Sequence, residues 1–272
     1  MLHCSWQKQG LKIMDKCDLH IHTEFSYDSK ILSNSLIERA IELDYKTIAI
    51  TEHLDLLPQE LGYFGLKSLS KYRAHISILQ DRYKEIEILC GLEIGDYHQV
   101  IDFALPLISQ FDFDIILGSV HFLSDRTNVA VPIKQNISRD DILDYYTQNL
   151  NLVQNCDIDV LAHLGVYKRY LSSRPEESIA DNIIRRIFQE MIDREIALEI
   201  NFSGFRKPMK SLMPDQEQLD LYYDLGGRLI TIGSDSHALE HFDDYYHKVM
   251  QVDAIDRFQI HIPRNKLQSH RS

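Results

Sequence analysis

Short runs of apolar and β-branched residues alternate with longer stretches in which apolar residues recur every three or four positions, and the rhythm repeats seven times. A compact β-rich run reads as a strand, and the spacing of three to four as one face of a helix. The strand runs are 17–22, 47–51, 86–94, 113–120, 158–162, 197–201 and 229–232. Helices are expected at about 33–43, 69–83, 98–109, 139–153, 176–194, 215–225 and 242–249. Ser33-Asn34-Ser35 offers a cap for the first, whose apolar stripe is Leu36, Ile37, Ala40 and Ile41. Gly226-Gly227 is a stop signal for the sixth. A long loop with Pro58, Gly62 and Gly65 follows the second strand, and another spans 123–138.

Strands alternating with helices argue for a parallel sheet. Such a sheet can close into a barrel or stay open and doubly wound. The polar positions decide. His22, His53, Glu93, His121, His163, Asp235 and His237 all fall at the C-terminal ends of strand runs. In a β/α barrel those ends share one mouth, where such folds carry their chemistry; along an open sheet few of them could meet. No glycine-rich phosphate loop of dinucleotide or P-loop type occurs. The expectation is a single-domain, seven-stranded, TIM-like parallel β/α barrel over 17–272. Residues 1–16 form an N-terminal extension, of which 1–13, ahead of Met14, are optional.

Composition narrows the partners. Net charge is −12 with no basic block, which disfavours nucleic acid. No apolar run approaches the ~20 residues of a membrane helix, and the N-terminus lacks a signal-type apolar core. Cys4, Cys17, Cys90 and Cys156 are scattered and form no C-x-x-C pair. Cys17 and Cys90, in strand runs, are expected as buried thiols in a reducing cytoplasm. Oligomeric state is left open.

Asp18, His20 and His22 alternate along the first strand and are expected on one face. Two imidazoles so placed suit zinc, iron or manganese. Asp235 and His237 repeat the spacing. Glu93 ends an apolar run, and a carboxylate entering a barrel is costly unless paired or on a metal. His53, His121 and His163 each read alone as capping or core histidines; their coincidence at one rim points to a metal site. The other histidines take ordinary roles: His3 and His270 at the ends, His75, His241, His247 and His261 in solvent, and His98 beside Asp96 at a helix start.

The ordered set Asp18-x-His20-x-His22, Thr51-Glu52-His53, Gly91-x-Glu93, Ser119-Val120-His121, Ala162-His163 and Gly233-Ser-Asp235-Ser-His237 resembles the polymerase and histidinol phosphatase (PHP) superfamily over 17–237. His22-Thr-Glu-Phe-Ser-x-Asp28-Ser, Lys168-Arg169-Tyr170 and Glu199-Ile-Asn-x-Ser-Gly204 are similar to its monofunctional histidinol-phosphate phosphatases. The resemblance implies a distorted barrel with three divalent transition-metal ions. His20, His22, Glu93 and Asp235 would hold the first. Glu93, bridging, with His121 and His163 would hold the second. Asp28, where many members carry histidine, would hold the third with His53 and His237. It implies hydrolysis of the small substrate L-histidinol phosphate by a metal-bridging hydroxide, with Glu93, Asp235 and His237 as catalytic groups. A rim histidine or aspartate would protonate the leaving alkoxide. Arg169 and Arg206, in mouth loops, are expected to grip the phosphate through paired hydrogen bonds.

Two enzyme alternatives stand beside this one. A metal-dependent amidohydrolase shares His-x-His but usually needs a strand-end lysine, which is missing here. Another phosphoesterase of the superfamily would take a different small ester or nucleotide. A third, non-catalytic reading is a metal-binding protein; structural zinc sites are usually cysteine-rich, unlike this set.

Overall fold

The strand runs pair in the order in which they occur, as short helical crossovers dictate for parallel neighbours. The computed structural model describes residues 15–60, 68–132, 136–252 and 255–263. Most of the expected N-terminal extension, with His3, Cys4, Gly62, Gly65 and His270, lies outside the described residues. The strands are β1 (Cys17–Ile21), β2 (Thr47–His53), β3 (Glu87–Gly95), β4 (Ile115–Ser119), β5 (Val160–Leu161), β6 (Ala197–Asn201), β7 (Leu229–Gly233) and β8 (Gln259–Ile260). They form one parallel sheet in that order. Between them run α1 (Ser33–Glu42), α2 (Leu69–Arg82), α3 (Ile101–Ile108), α4 (Arg139–Asn155), α5 (Asp181–Asp193), α6 (Gln216–Asp224) and α7 (Tyr246–Val249).

The chain beyond β7 returns to β1. Asp235 N–H donates to the His20 carbonyl at 2.8 Å, and His22 N–H to that of Ser236 at 3.0 Å. These bonds close the upper rim and make the sheet a distorted barrel of seven strands. An eighth, β8, joins the outer start of β7, with Leu229 opposite Gln259 and Ile230 opposite Ile260. It is two residues long, too short to show as a run, which is why seven strands were expected.

Two cores follow from the alternation. Inside the barrel, small and branched residues pack together, among them Cys17, Leu19, Ala49, Leu89, Ile115, Val160 and Ala197. Outside, Ile48, Ile50, Leu92, Leu198 and Ile232 meet the helices through Leu36, Tyr72, Ile76, Ile187 and Leu219. Cys17, Cys90 and Cys156 are buried free thiols.

β1 breaks its own alternation. Asp18 pairs with Ile48 but Ile21 pairs with Ile50, so β1 spends one residue more than β2 over this stretch. Cys17 and Leu19 therefore face the inner core while Ile21 joins the outer one. The expectation that Asp18, His20 and His22 share a face is thereby corrected. His20 and His22 enter the barrel mouth. Asp18 instead accepts the N–H groups of His20 (3.3 Å) and Ser234 (3.0 Å), bracing the bulge against β7.

Other differences are local. α1 takes no cap from Ser33–Ser35; Ser33 is already helical, and Glu24 accepts its N–H at 2.7 Å. Asp96 is left-handed (φ 50°), so the expected helix at 98–109 becomes a 3₁₀ turn, Tyr97–Gln99, followed by α3. The helix expected at 176–194 starts as a 3₁₀ turn, Ser178–Ala180, before α5. Gly226, at φ 103°, ends α6 as its sequence anticipates.

Gly91 lies on the inner face of β3, two residues below Glu93. A Cβ there would stand 2.6 Å from Ile115 Cγ2 and 2.7 Å from Thr51 Cγ2. Gly91→Ala is expected to cost about 1–3 kcal/mol of stability through overpacking, read as a lower urea midpoint with unchanged slope. An unchanged midpoint would show that β3 has room the distances deny.

Candidate metal centre

Inward positions of the strands deliver polar side chains to the mouth, directly above the inner core. Inward Ala49 and Thr51 of β2 lead to His53, and inward Leu89 and Gly91 of β3 to Glu93. Two residues past β4 comes His121. His163 follows inward-facing Ala162, and a regular strand would turn it outward; its backbone is left-handed (φ 27°), and the imidazole instead reaches Glu93. Asp235 is also left-handed (φ 51°). Backbones of this kind persist where the surroundings hold them, often at functional sites.

Glu93 is the hub, 1% exposed. Its Oε2 lies 3.4 Å from both His20 Nε2 and His22 Nε2. Those nitrogens are 3.1 Å apart, and Asp235 Oδ1 stands 3.9 and 3.6 Å from them. A tetrahedral ion with bonds of roughly 2.0–2.2 Å holds its ligand atoms about 3.3–3.6 Å apart, so these four groups fit one ion. Glu93 Oε1 turns the other way, 2.7 Å from His163 Nε2 and 3.3 Å from His121 Nε2. Beside them, His53 Nε2 and His237 Nε2 are 3.3 Å apart, with Asp28 carboxylate oxygens at 3.7 and 3.3 Å. The three expected ligand groupings are thus each brought together.

A surrounding layer fixes the imidazoles. Glu199 is inward on β6, the strand expected to end without a ligand. Its Oε1 accepts the Nδ1–H of His20 at 2.7 Å, and its Oε2 accepts from His163 N–H at 2.6 Å and Asn201 Nδ2 at 3.1 Å. Glu52 accepts the hydroxyls of Thr23 and Ser26. Ser26 Oγ can then accept Nδ1–H of His22 at 3.2 Å and the N–H of His53 at 3.1 Å. His237 Nδ1–H faces the Asp235 carbonyl at 3.1 Å. The Nδ1 atoms of His20, His22 and His237 are thus committed as donors, which leaves Nε2 of each turned inward, the arrangement a metal requires. His163 Nδ1 is buried without a hydrogen-bond partner among the described residues, and Glu93 Oε2 and His53 Nδ1, 3.1 Å apart, meet each other outside hydrogen-bond geometry. Converging lone pairs and an unsatisfied buried carboxylate suit cations, so the residues fit divalent metals.

The charges agree. Burial alone would raise the Glu93 carboxyl, but the His20 and His53 imidazoles outweigh it and hold it well below the usual range. Burial would likewise raise Asp235; His20, His237 and Arg169 bring it well below its ordinary value. Burial, then the neighbouring His53 and His237, push His22 well down, leaving it neutral.

A cleft of about 360 Å³ opens over the cluster, lined by Asp28, His53, Glu93, His121, His163, Arg169, Asp235 and His237. His20 and His22 lie beneath its floor. Arg169 Nη1 donates to Asp235 Oδ2 at 3.0 Å and Nη2 to the Ala130 carbonyl at 2.5 Å. Arg206 departs from expectation. It stands behind the cleft, with Nη2 on the carbonyls of Ser234 and Asp235 and Nη1 on Asp244 Oδ1 and the His241 carbonyl. With those donors spent, it braces the backbone of the β7 end rather than facing a ligand. His98 Nε2–H donates to Gln148 Oε1 (2.6 Å), away from the cluster. A larger cavity of about 820 Å³ nearby, walled by Leu56, Val100, Phe103 and Phe122, gathers no converging ligand set. Glu199 and Glu52 were missed as supports; an inward carboxylate on a strand, the signal that exposed Glu93, marks Glu199 as well.

Imidazoles and carboxylates gathered at one mouth of a parallel barrel define the class of metal-dependent β/α-barrel enzymes. Within it the chain belongs to the PHP domain family, whose model matches residues 18–203. It is 32% identical over 230 residues to a probable histidinol-phosphatase of Clostridium acetobutylicum, covering 81% of this chain and 86% of that one. It is 32% identical over 232 residues to a histidinol-phosphatase of Lactococcus lactis, covering 82% and 85%. The crystal structure of a Lactococcus lactis histidinol phosphate phosphatase complexed with zinc, L-histidinol and phosphate matches with a TM-score of 0.76 at 28% identity, over 91% of this chain and 95% of that one.

Glu199→Gln isolates the supporting layer. An amide must turn N–H toward either the Nδ1–H of His20 or the N–H of His163, where only acceptors fit. Metal affinity is expected to fall by about 10–100-fold while the fold survives, checked by metal titration beside circular dichroism. Parent-like affinity would remove Glu199 from this role.

Proposed function

We propose that this chain is a metal-dependent phosphomonoesterase that hydrolyses L-histidinol phosphate to L-histidinol and phosphate. The observation that carries the reading is the cluster around Glu93, open to a cleft that also presents Arg169. The names of the two 32%-identical relatives and the ligands of the matching crystal structure support the substrate. We assign three divalent ions. His20, His22, Glu93 and Asp235 would hold the first; Glu93, His121 and His163 the second; Asp28, His53 and His237 the third. Zinc is favoured by the Lactococcus lactis structure, with iron and manganese compatible with the same donors. Bound there, such ions lower the pKa of water towards 7 and offset charge on phosphate oxygens.

The chain's own residues do the rest. Glu93 divides its two oxygens between two groups of imidazoles and sets their separation. Asp235 and His237 stand where cluster meets cleft, and Asp28, the most exposed of the set, faces the entering ester. Arg169 presents a planar guanidinium to the phosphate from its anchor on Asp235. Among the described residues no lysine lines the cleft; buried Lys168 is engaged with Glu177 and Asp215 at 3.0 and 2.7 Å. That disfavours an amidohydrolase-type centre. No helix among the described residues is long and apolar enough to cross a membrane. The buried free thiols support a reducing cytoplasm as the compartment.

The test is phosphate release by the metal-loaded protein from L-histidinol phosphate, beside nucleotide monophosphates and an amide panel. Turnover of L-histidinol phosphate at a kcat/KM well above the rest is expected; preference for a nucleotide or amide refutes the reading. Arg169→Ala is expected to lower kcat/KM by roughly 10²-fold, about 2.7 kcal/mol of transition-state stabilisation. Lysine should rescue only in part, having charge without the fork. An alanine variant within threefold of the parent makes Arg169 a wall residue, and parallel metal loss reassigns it to holding Asp235.

A further inference from the structure

The 3₁₀ turn that carries Arg169, Val166–Tyr170, is held from behind the cleft. It starts after Gly165, left-handed at φ 91°, where a Cβ would stand 2.6 Å from Lys168 Cε. The turn therefore folds tightly over its own lysine. The Tyr145 hydroxyl accepts the N–H groups of Gly165 (2.9 Å) and Val166 (3.3 Å) and fixes its start. Lys168 is 3% exposed and, unlike Arg169, does not line the cleft. Its ammonium donates to Asp215 Oδ2 at 2.7 Å, Glu177 Oε2 at 3.0 Å and Gln218 Oε1 at 3.3 Å, one acceptor for each of its three N–H bonds. The acceptors are fixed in turn. Glu177 Oε1 takes the hydroxyls of Tyr146 and Tyr167. Gln218 Nε2 donates to the Tyr146 hydroxyl at 2.7 Å, and Asp215 Oδ1 caps α6 through the N–H of Gln218 at 3.2 Å. Among the described residues no buried polar atom of Lys168, Glu177, Asp215 or Gln218 lacks a partner.

A buried ion cluster is a weak source of stability, because the cost of desolvating the charges offsets most of their attraction. What a fully satisfied polar network adds is a single orientation. In a 3₁₀ turn successive side chains diverge by roughly 120°. Lys168 is pinned toward the starts of α5 and α6, so its neighbour Arg169 is turned to the other side, that of the cleft. There Arg169 Nη1 meets Asp235 Oδ2 at 3.0 Å, and its carbonyl accepts the N–H of Met209 at 3.3 Å. Those contacts steady the tip and the backbone of Arg169; the lysine behind sets the direction from which its stem departs.

We propose that Lys168 is a positioning residue that, locked between Glu177 and Asp215, aims Arg169 at the phosphate. The proposal rests on the phosphate-gripping role given to Arg169 above and identifies what holds it in place. Misplacing such a group by about 1 Å can cost roughly 10²-fold in rate, so a rigid backing behind the turn matters to the chemistry although it never touches the ester.

The test is a double-mutant cycle on the metal-loaded full chain, combining Lys168→Met or Glu177→Gln with Arg169→Ala. Methionine keeps an unbranched stem without the charge, and glutamine keeps the size of Glu177 without its charge. The two readouts are calorimetric affinity for inorganic phosphate and kcat/KM for L-histidinol phosphate. Lys168→Met is expected to lower both by about tenfold, and Glu177→Gln to lower both in the same direction. Once Arg169 is alanine, neither variant should lower either quantity by more than about twofold further, since partners in one network are not additive. Metal content should be unchanged. A merely structural lysine would lower the urea midpoint and leave the phosphate affinity of the folded protein alone. Parent-like phosphate affinity in both variants, or losses that persist undiminished beside Arg169→Ala, would overturn the proposal. Loss of a metal equivalent would also overturn it, by showing that the turn serves Asp235 instead. If circular dichroism shows Lys168→Met unfolded, the Glu177→Gln cycle decides by the same criteria. A parent that shows the phosphate coupling yet leaves L-histidinol phosphate intact refutes the substrate named above while the positioning role stands.

Discussion

One ionised carboxylate, sealed from water at the centre of a barrel mouth, sets the terms for the rest of the structure. Glu93 is tolerable there only because both of its oxygens face groups that carry or gather positive charge. The imidazoles around it are no substitute for a cation. Several have their Nδ1–H committed outward, and they aim lone pairs at the same small volume. His163 alone meets Glu93 in a short hydrogen bond, at 2.7 Å; the other Nε2 atoms around it converge at spacings that suit cations between them. The bulge in β1, the left-handed backbone at His163 and Asp235, and the acceptor layer of Glu199 and Glu52 all keep that arrangement from relaxing.

Much of this was legible in the sequence, and for a physical reason. Strand ends in a parallel barrel share one rim, so His22, His53, Glu93, His121 and Asp235 could be placed together from periodicity alone. What stayed hidden depends on geometry that periodicity does not record. The β1 bulge leaves no local sign, because Leu19 and Ile21 are both apolar whichever core they enter; only pairing with β2 shows that Asp18 turns away. His163 reaches Glu93 through a backbone twist. α1 is capped from a distance by Glu24, and β8 is too short to register as a run. Arg206 sits in a mouth loop as expected, yet carbonyls near the β7 end occupy its donors. Asp55 and Glu60, which also line the cleft, follow β2 in a loop, where no period distinguishes a cleft-facing acid from a solvated one.

The overall charge of −12 looks ill suited to an anionic substrate until its placement is considered. The cleft is not uniformly acidic. Arg169 marks one part, and the Glu93 cluster suits divalent cations that would reverse the local sign. Local arrangement governs what the mouth attracts, and net charge governs little beyond solubility and long-range steering.

The most direct test of the account is anomalous scattering from crystals of the metal-loaded protein, collected at the absorption edges of zinc, iron and manganese. The account predicts two peaks flanking Glu93, one shared with His20, His22 and Asp235 and the other with His121 and His163. A third should lie between Asp28, His53 and His237. An active, metal-loaded crystal in which no ion is bound to Glu93 would contradict it.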